Sequence, residues 1–289
     1  HYRPDNAYII LYGNLDADRF LGFLDERYLA PLAAKERGPL DINPLGLQAP
    51  VAPEPVVVPM ATAPENACAA VGFVIGRAAE RERIVAADIL MDAIMGANES
   101  PLKRALLDAG IADDAIGYVA DSVAQPFAVV SLRGARPGAA DALRAIVEAE
   151  ARRLAEGGLD RELVRAALSH AEFVMRERNF GYPDGVVLAM SAMAGWLYSD
   201  DDPAAYLRFE DVFASLREKV EEGYFEALLR ELFLDNDHRA CAEVVPTESD
   251  EAAEEAEAAG EREAAAALTE DEAASIREAV RALREAQEA

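Results

Sequence analysis

Three histidines are the first residues to weigh for chemistry: His1, His170 and His238. A zinc peptidase helix needs two imidazoles four residues apart on one face, with a carboxylate base beside them. No pair of these histidines has that spacing. His170, in ALSHAEF near Glu172, reads as an ordinary surface or core histidine. Cys68 and Cys241 fall in apolar, strand-like stretches and read as buried thiols of a reducing compartment; nothing in the pattern supports a disulfide between them. The sequence has no Gly-rich phosphate loop with a Lys, no CxxC and no G-x-S-x-G. GYPDG at 181–185 could serve as a site loop, but its strong breakers make a turn the simpler reading. Carboxylates are plentiful, yet abundance does not poise a pair for acid–base work. The residues themselves therefore assign no catalytic, metal or cofactor-binding positions, and substrate-binding positions stay open.

The elements that would position any site follow from periodicity. Tyr8 to Gly13 (YIILYG) is β-branched and aromatic and is expected to be a strand. Asp16 is a good N-cap for a helix with Phe20, Leu21, Leu24 and Tyr28 on one face. Pro39, Pro44, Pro50, Pro53 and Pro55 then make an extended linker, with a boundary near residue 55. Strands are expected over 55–63 and 67–76, then a helix over 80–96 stopped by Gly96. Ser100-Pro101 starts another helix as N-cap and first-turn proline, and Gly110 ends it. AIGYVADSV and PFAVVSLRG read as strands, and two amphipathic helices follow, parted at Gly157-Gly158. NFGYPDG is a loop, VVLAMSAMAGWLYSD an apolar helix, YFEALLRELFL a further helix and HRACAEVVP a strand. Strands in consecutive pairs joined by helices predict an α+β two-layer sandwich, with a mixed or antiparallel sheet and helices packed on one face. From Glu248 the chain is Ala/Glu-rich with thin stripes such as Ile276, Val280 and Leu283, and Gly260 is expected to divide it into two helical arms that fray.

Charge and hydropathy exclude some classes of function. The 289 residues carry 54 acidic and 28 basic side chains, a net charge of −26. Residues 248–289 hold 14 of the acidic and 4 of the basic ones. Such a surface repels phosphate, so nucleic acid and anionic membranes are not expected partners, whereas basic partners suit it. No apolar run approaches the roughly 18–20 residues of a membrane helix. HYRPDN lacks the charged-then-apolar order of a secretory signal. A cytoplasmic location, or a piece of a larger protein, is the resulting expectation.

Several stretches resemble insulinase-like (pitrilysin-type) zinc metallopeptidases of the presequence-protease subfamily. YRPDNAYIILYGNLD is similar to the closing strand of their first domain, and ESPLKRALLDAGI to a helix of their second. NFGYPDGVVLAMSAMAGWLYSDDDPAAYLRFED and LFLDNDHRACAEVVP resemble the region where that second domain meets a long helical hairpin. EREAAAALTEDEAASIREAVRALREAQ is similar to the start of the hairpin.

The resemblance implies an internal fragment. Residues 1–37 would close a truncated catalytic domain, 38–55 would be the linker, 56–247 a non-catalytic peptidase-like domain and 248–289 the start of the hairpin. The HxxEH helix and the downstream Glu that hold zinc in the family are not among these residues. The family's domains are repeats of one fold, which implies a counterpart of that helix at Asp88-Ile89-Leu90-Met91-Asp92. Asp88 and Asp92 would stand where histidines stand in an active copy, and Met91 where the base Glu stands; as residues alone, both aspartates read as a polar helix edge. The implied parent is a zinc endopeptidase that degrades unfolded peptides in a chamber, with this chain as wall and hinge. The chain alone is expected to be inactive and to carry no cofactor. The expected partners are the rest of the peptidase and unfolded, basic peptides. The alternative is a stand-alone inactive peptide-binding module of the same fold.

Overall fold

The computed structural model describes residues 4–33, 46–177, 181–199, 202–249 and 251–288. Five strands form one mixed sheet: β1 Val56–Ala61, β2 Cys68–Val74, β3 Asp114–Ala120, β4 Phe127–Arg133 and β5 Arg239–Thr247. Their spatial order is β1-β5-β2-β4-β3; only β1 and β5 run parallel. β2 alternates half-buried and buried along its length, the signature of a sheet covered on one face. Val71 is paired with Val130 on one side and Cys241 on the other, so these three form one row of the buried face. Ala69, Leu132, Ala115 and Glu243 form the next.

Eleven helices are described, counting a short one: α1 Ala17–Leu24, α2 Ala30–Ala33, α3 Arg81–Met95, α4 Pro101–Asp108, α5 Ala139–Gly157, α6 Arg161–Glu177, α7 Asp184–Trp196, α8 Glu210–Lys219, α9 Tyr224–Phe233, α10 Glu251–Ala267 and α11 Glu270–Glu288. α3 packs on β3 and β4, α5 on β2 and β5, and α9 on α5 and β2. Phe73 and Phe233 meet edge-to-face at 5.0 Å in this seam. α6 and α8 then pack on α3. This is the α+β arrangement, helices on one face of a mixed sheet, that the paired strands predict. Among the described residues no helix is long and apolar enough to cross a membrane.

Two packing details fix where a site can sit. Gly117 of β3 lies so close to α3 that a Cβ there would stand 2.6 Å from Met91 Cε and 2.8 Å from Met95 Cβ. Gly117→Val is therefore expected to push α3 off the sheet and cost about 1–3 kcal/mol, read as a lower urea midpoint. The second is Glu243, buried at the inner face of β5 with 4% exposure. Its carboxylate accepts the Gly138 N–H at 2.7 Å and the Ala140 N–H at 3.2 Å, which caps the N-terminus of α5 from the sheet.

Several expectations need correction. Tyr8–Gly13 is not a strand. Its apolar pattern suits a ladder, but no strand lies beside it among the described residues. Tyr8 instead meets Trp196 of α7 edge-to-face at 4.8 Å, and Tyr12 covers Gly185. Asp16 does cap α1, accepting the Arg19 N–H at 3.1 Å, yet Phe20, Leu21 and Tyr28 remain exposed. Ser100 does take the N-cap position of α4 with Pro101 in its first turn, but its side chain caps no N–H of that helix; its hydroxyl accepts from Ala97 N at 3.1 Å. GYPDG is only partly a turn, because Asp184 already opens α7. α10 runs through Gly260, and the break falls at Thr269. There Thr269 and Glu272 form a reciprocal capping box, with Thr269 N–H donating to Glu272 Oε2 at 2.9 Å and Glu272 N–H to Thr269 Oγ1 at 3.3 Å. Of the expected linker, 38–45 lies outside the described residues, as do Asn179 and Phe180 of NFGYPDG. The described part is tied down: Gln48 N–H donates to Gln125 Oε1 at 2.7 Å, and Gln125 Nε2 returns a bond to Gln48 O at 3.0 Å.

Candidate functional site

A cleft of about 490 Å³ lies beside α3, where α3, β3, α6 and α7 converge with Tyr206. Asp88 and Asp92, one helical turn apart, both line it. Asp121, just past β3, adds a third carboxylate. Val85, Met91, Val174 and Met175 supply an apolar wall.

His170 reaches this cleft from α6. Its Nδ1 lies 3.4 Å from Asp92 Oδ2. The neighbour suggested by sequence, Glu172, is engaged elsewhere: it binds Arg176 at 2.8 Å and also pairs with Arg217. The His170–Asp92 approach spans 78 residues of chain, and no local spacing signals it. Met91, by contrast, turns inward against Gly117 and is only 2% exposed.

The electrostatics follow from crowding. Asp88 is open to solvent on one side but has protein on the others. Partial desolvation, then the charges of Asp121 and Asp92, push its carboxyl up to about 6. Tyr206, whose hydroxyl donates to Ala78 O at 2.6 Å, is pushed up to about 12 by burial and by Asp121, against the opposing pull of Arg81. It therefore keeps its proton at neutral pH.

The raised Asp88 value has a pH consequence. Between the unfolded value near 3.8 and the folded value near 6, the folded chain binds more protons than the unfolded one. Stability from this group is therefore lost as pH rises through that window. Asp88→Asn is expected to leave stability unchanged below about pH 4 and to raise it by roughly 1 kcal/mol above about pH 6, a figure reduced for solvent screening. Urea titrations of both proteins at pH 3.5 and 7.5 check this; equal midpoints at 7.5 would contradict it.

A family-type catalytic zinc does not fit these residues. Asp88 and Asp92 offer hard oxygen ligands where that chemistry uses imidazole, and a thioether at Met91 cannot act as a base. Among the described residues no three His, Cys, Asp or Glu gather in a metal-holding arrangement. Cys68 and Cys241 are free thiols, and burial pushes the Cys241 thiol up, away from reactivity.

Residues 1–170 match the family described as "Peptidase M16 inactive domain". Protein HypA of Clostridium perfringens is 30% identical over 250 residues, covering 85% of this chain and 26% of that protein. Presequence protease 1, chloroplastic/mitochondrial, of Arabidopsis thaliana is 29% identical over 170 residues, covering 57% of this chain and 16% of that protein. The chain thus spans about a quarter or less of these two relatives. Among solved structures, a peptidase M16 inactive domain from Pseudomonas fluorescens shares the fold at a TM-score of 0.53 and 12% identity, covering 81% of this chain and 52% of that one. With the family match running through β1, β2, α3, β3, β4 and α5 to the cleft histidine, the chain belongs to the M16 peptidase family, as an inactive domain.

Proposed function

We infer that this chain forms a non-catalytic wall and hinge of a larger zinc-dependent endopeptidase that degrades unfolded peptides in an enclosed chamber. The observation that carries the reading is the cleft beside α3, lined by Asp88 and Asp92 with Met91 buried between them; on the family resemblance these three would stand where an active copy has its two histidines and its base. Such a copy keeps the shape of a peptidase domain and none of its acid–base equipment. On this reading zinc belongs to the remainder of the parent enzyme, and that remainder is the principal partner. The domain division into 1–37, 38–55, 56–247 and 248–289 is part of the same proposal. The net charge of −26 and the carboxylates of the cleft support unfolded basic peptides as the material handled. The free thiols support a reducing, cytoplasmic setting.

An immunoblot of the source cells with an antibody against this chain tests the reading. The expected band is several times larger than 31.1 kDa. A native band at the size of the chain would instead favour a stand-alone peptide-binding module of the same fold.

A further inference from the structure

In a chain with 54 acidic and 28 basic side chains, a half-buried arginine is expected to have an acidic partner. Arg239 does not follow that expectation. It begins β5 on the inward row that continues through Cys241 and Glu243, and its cross-strand neighbour is the buried Phe73. Its backbone N–H donates to Val51 O at 2.9 Å, which fixes the strand end. Its guanidinium has no hydrogen bond or ion pair among the described residues.

A second arginine faces the same space. Arg144 of α5 has one distant ionic contact, 3.9 Å to Asp141, whose own side chain is 89% exposed. Arg144 and Cys241 line the same small cavity, which places this arginine beside the inward row of β5. Both arginines line a cavity of about 290 Å³ with Val71, Val147, Phe73 and Phe233 as its apolar side. Both also line the small adjoining cavity beside Cys241 and residues 52–54. The volume sits at the lower end of small-molecule sites, room for one amino-acid-sized group.

The rim sets the charge that fits. Asp141 and Glu148 border the larger cavity and Glu54 the smaller. Glu148 is held by Arg152 at 2.7 Å, so its charge is partly answered. A multiply charged anion such as phosphate would meet repulsion at this rim. One carboxylate matches the planar donor forks of two guanidinium groups.

We propose that the cavity between α5 and the start of β5 binds a monocarboxylate bearing a compact apolar group. Arg144 and Arg239 take the carboxylate, and the Phe73–Phe233 wall takes the apolar part. The same chemistry has two sources, a small free acid or the C-terminal residue of a peptide. The proposal does not rest on the peptidase reading.

Calorimetric titration of the full chain tests it, with N-acetyl-leucine, N-acetyl-leucinamide, and a pentapeptide ending in leucine with a free or amidated C-terminus. N-acetyl-leucine is expected to bind saturably at one site, and the amide to bind about tenfold weaker or worse. Arg239→Gln and, separately, Arg144→Gln are expected to weaken the acid by a similar factor while the thermal midpoint stays native. Free-acid peptide binding as tightly as N-acetyl-leucine assigns the site to peptide termini; exclusion of the peptide assigns it to small acids. Equal binding of acid and amide, unchanged binding in both variants, or no saturable binding of N-acetyl-leucine overturns the proposal. If Arg239→Gln does not fold, Arg144→Gln and the acid–amide comparison on the unaltered chain still decide.

Discussion

Replacing Asp88 and Asp92 together with histidine will make this chain retain one zinc ion through dialysis, where the unaltered chain retains none. The two positions are one turn apart on α3 and open into the same cleft. His170 already approaches from α6, with Nδ1 at 3.4 Å from the carboxylate of Asp92. Two imidazoles at that spacing plus a third from a packed helix are the ligand set of an open, three-histidine zinc site. Elemental analysis reads the stoichiometry directly. Zinc binding to the folded state alone should also stabilise the variant by about 2.7 kcal/mol at a hundredfold excess over its dissociation constant. Peptide hydrolysis is not expected, because Met91 supplies no base. A folded double variant without zinc would show that the α3–α6 face lacks the geometry of a vacated metal site.

Glu243→Ala is expected to cost about 2–3 kcal/mol, because it removes the acceptor from a helix N-terminus that has no other side-chain cap among the described residues. Gly138 occupies the N-cap position of α5 and offers no side chain. The Gly138 and Ala140 N–H groups would be left without the carboxylate that now receives both. Glu243→Gln keeps an acceptor oxygen without the charge and should fall between the two. Urea denaturation at neutral pH measures the differences. A loss for the alanine variant under about 0.5 kcal/mol would mean that water satisfies these donors equally well.

The elements easiest to read from sequence were those with a strong period and a clear stop. α3, α5 and α6 carry long apolar stripes, β4 an apolar run between Pro126 and Gly134, and β2 an apolar stretch that stops at Gly76. α8 is harder to see, because its buried Val212, Phe213 and Leu216 are set among charges in a short segment. Tyr8–Gly13 has strand composition but lacks a ladder partner among the described residues, and composition cannot reveal that. Gly260 looked like a break; the surrounding Ala and Glu carry the helix across it, while the capping box Thr269-x-x-Glu272 was visible in LTEDE as the true signal. The spacing of Asp88 and Asp92 was legible. Their juxtaposition with His170 and Asp121, and that of Arg144 with Arg239, arise only from tertiary packing.

This M16 inactive domain is expected to do no chemistry of its own. An unstructured basic peptide incubated for a prolonged period with the purified chain and excess zinc should remain intact by mass spectrometry. Cleavage that copurifies with the chain and stops on chelation would show instead that the domain is a peptidase in its own right.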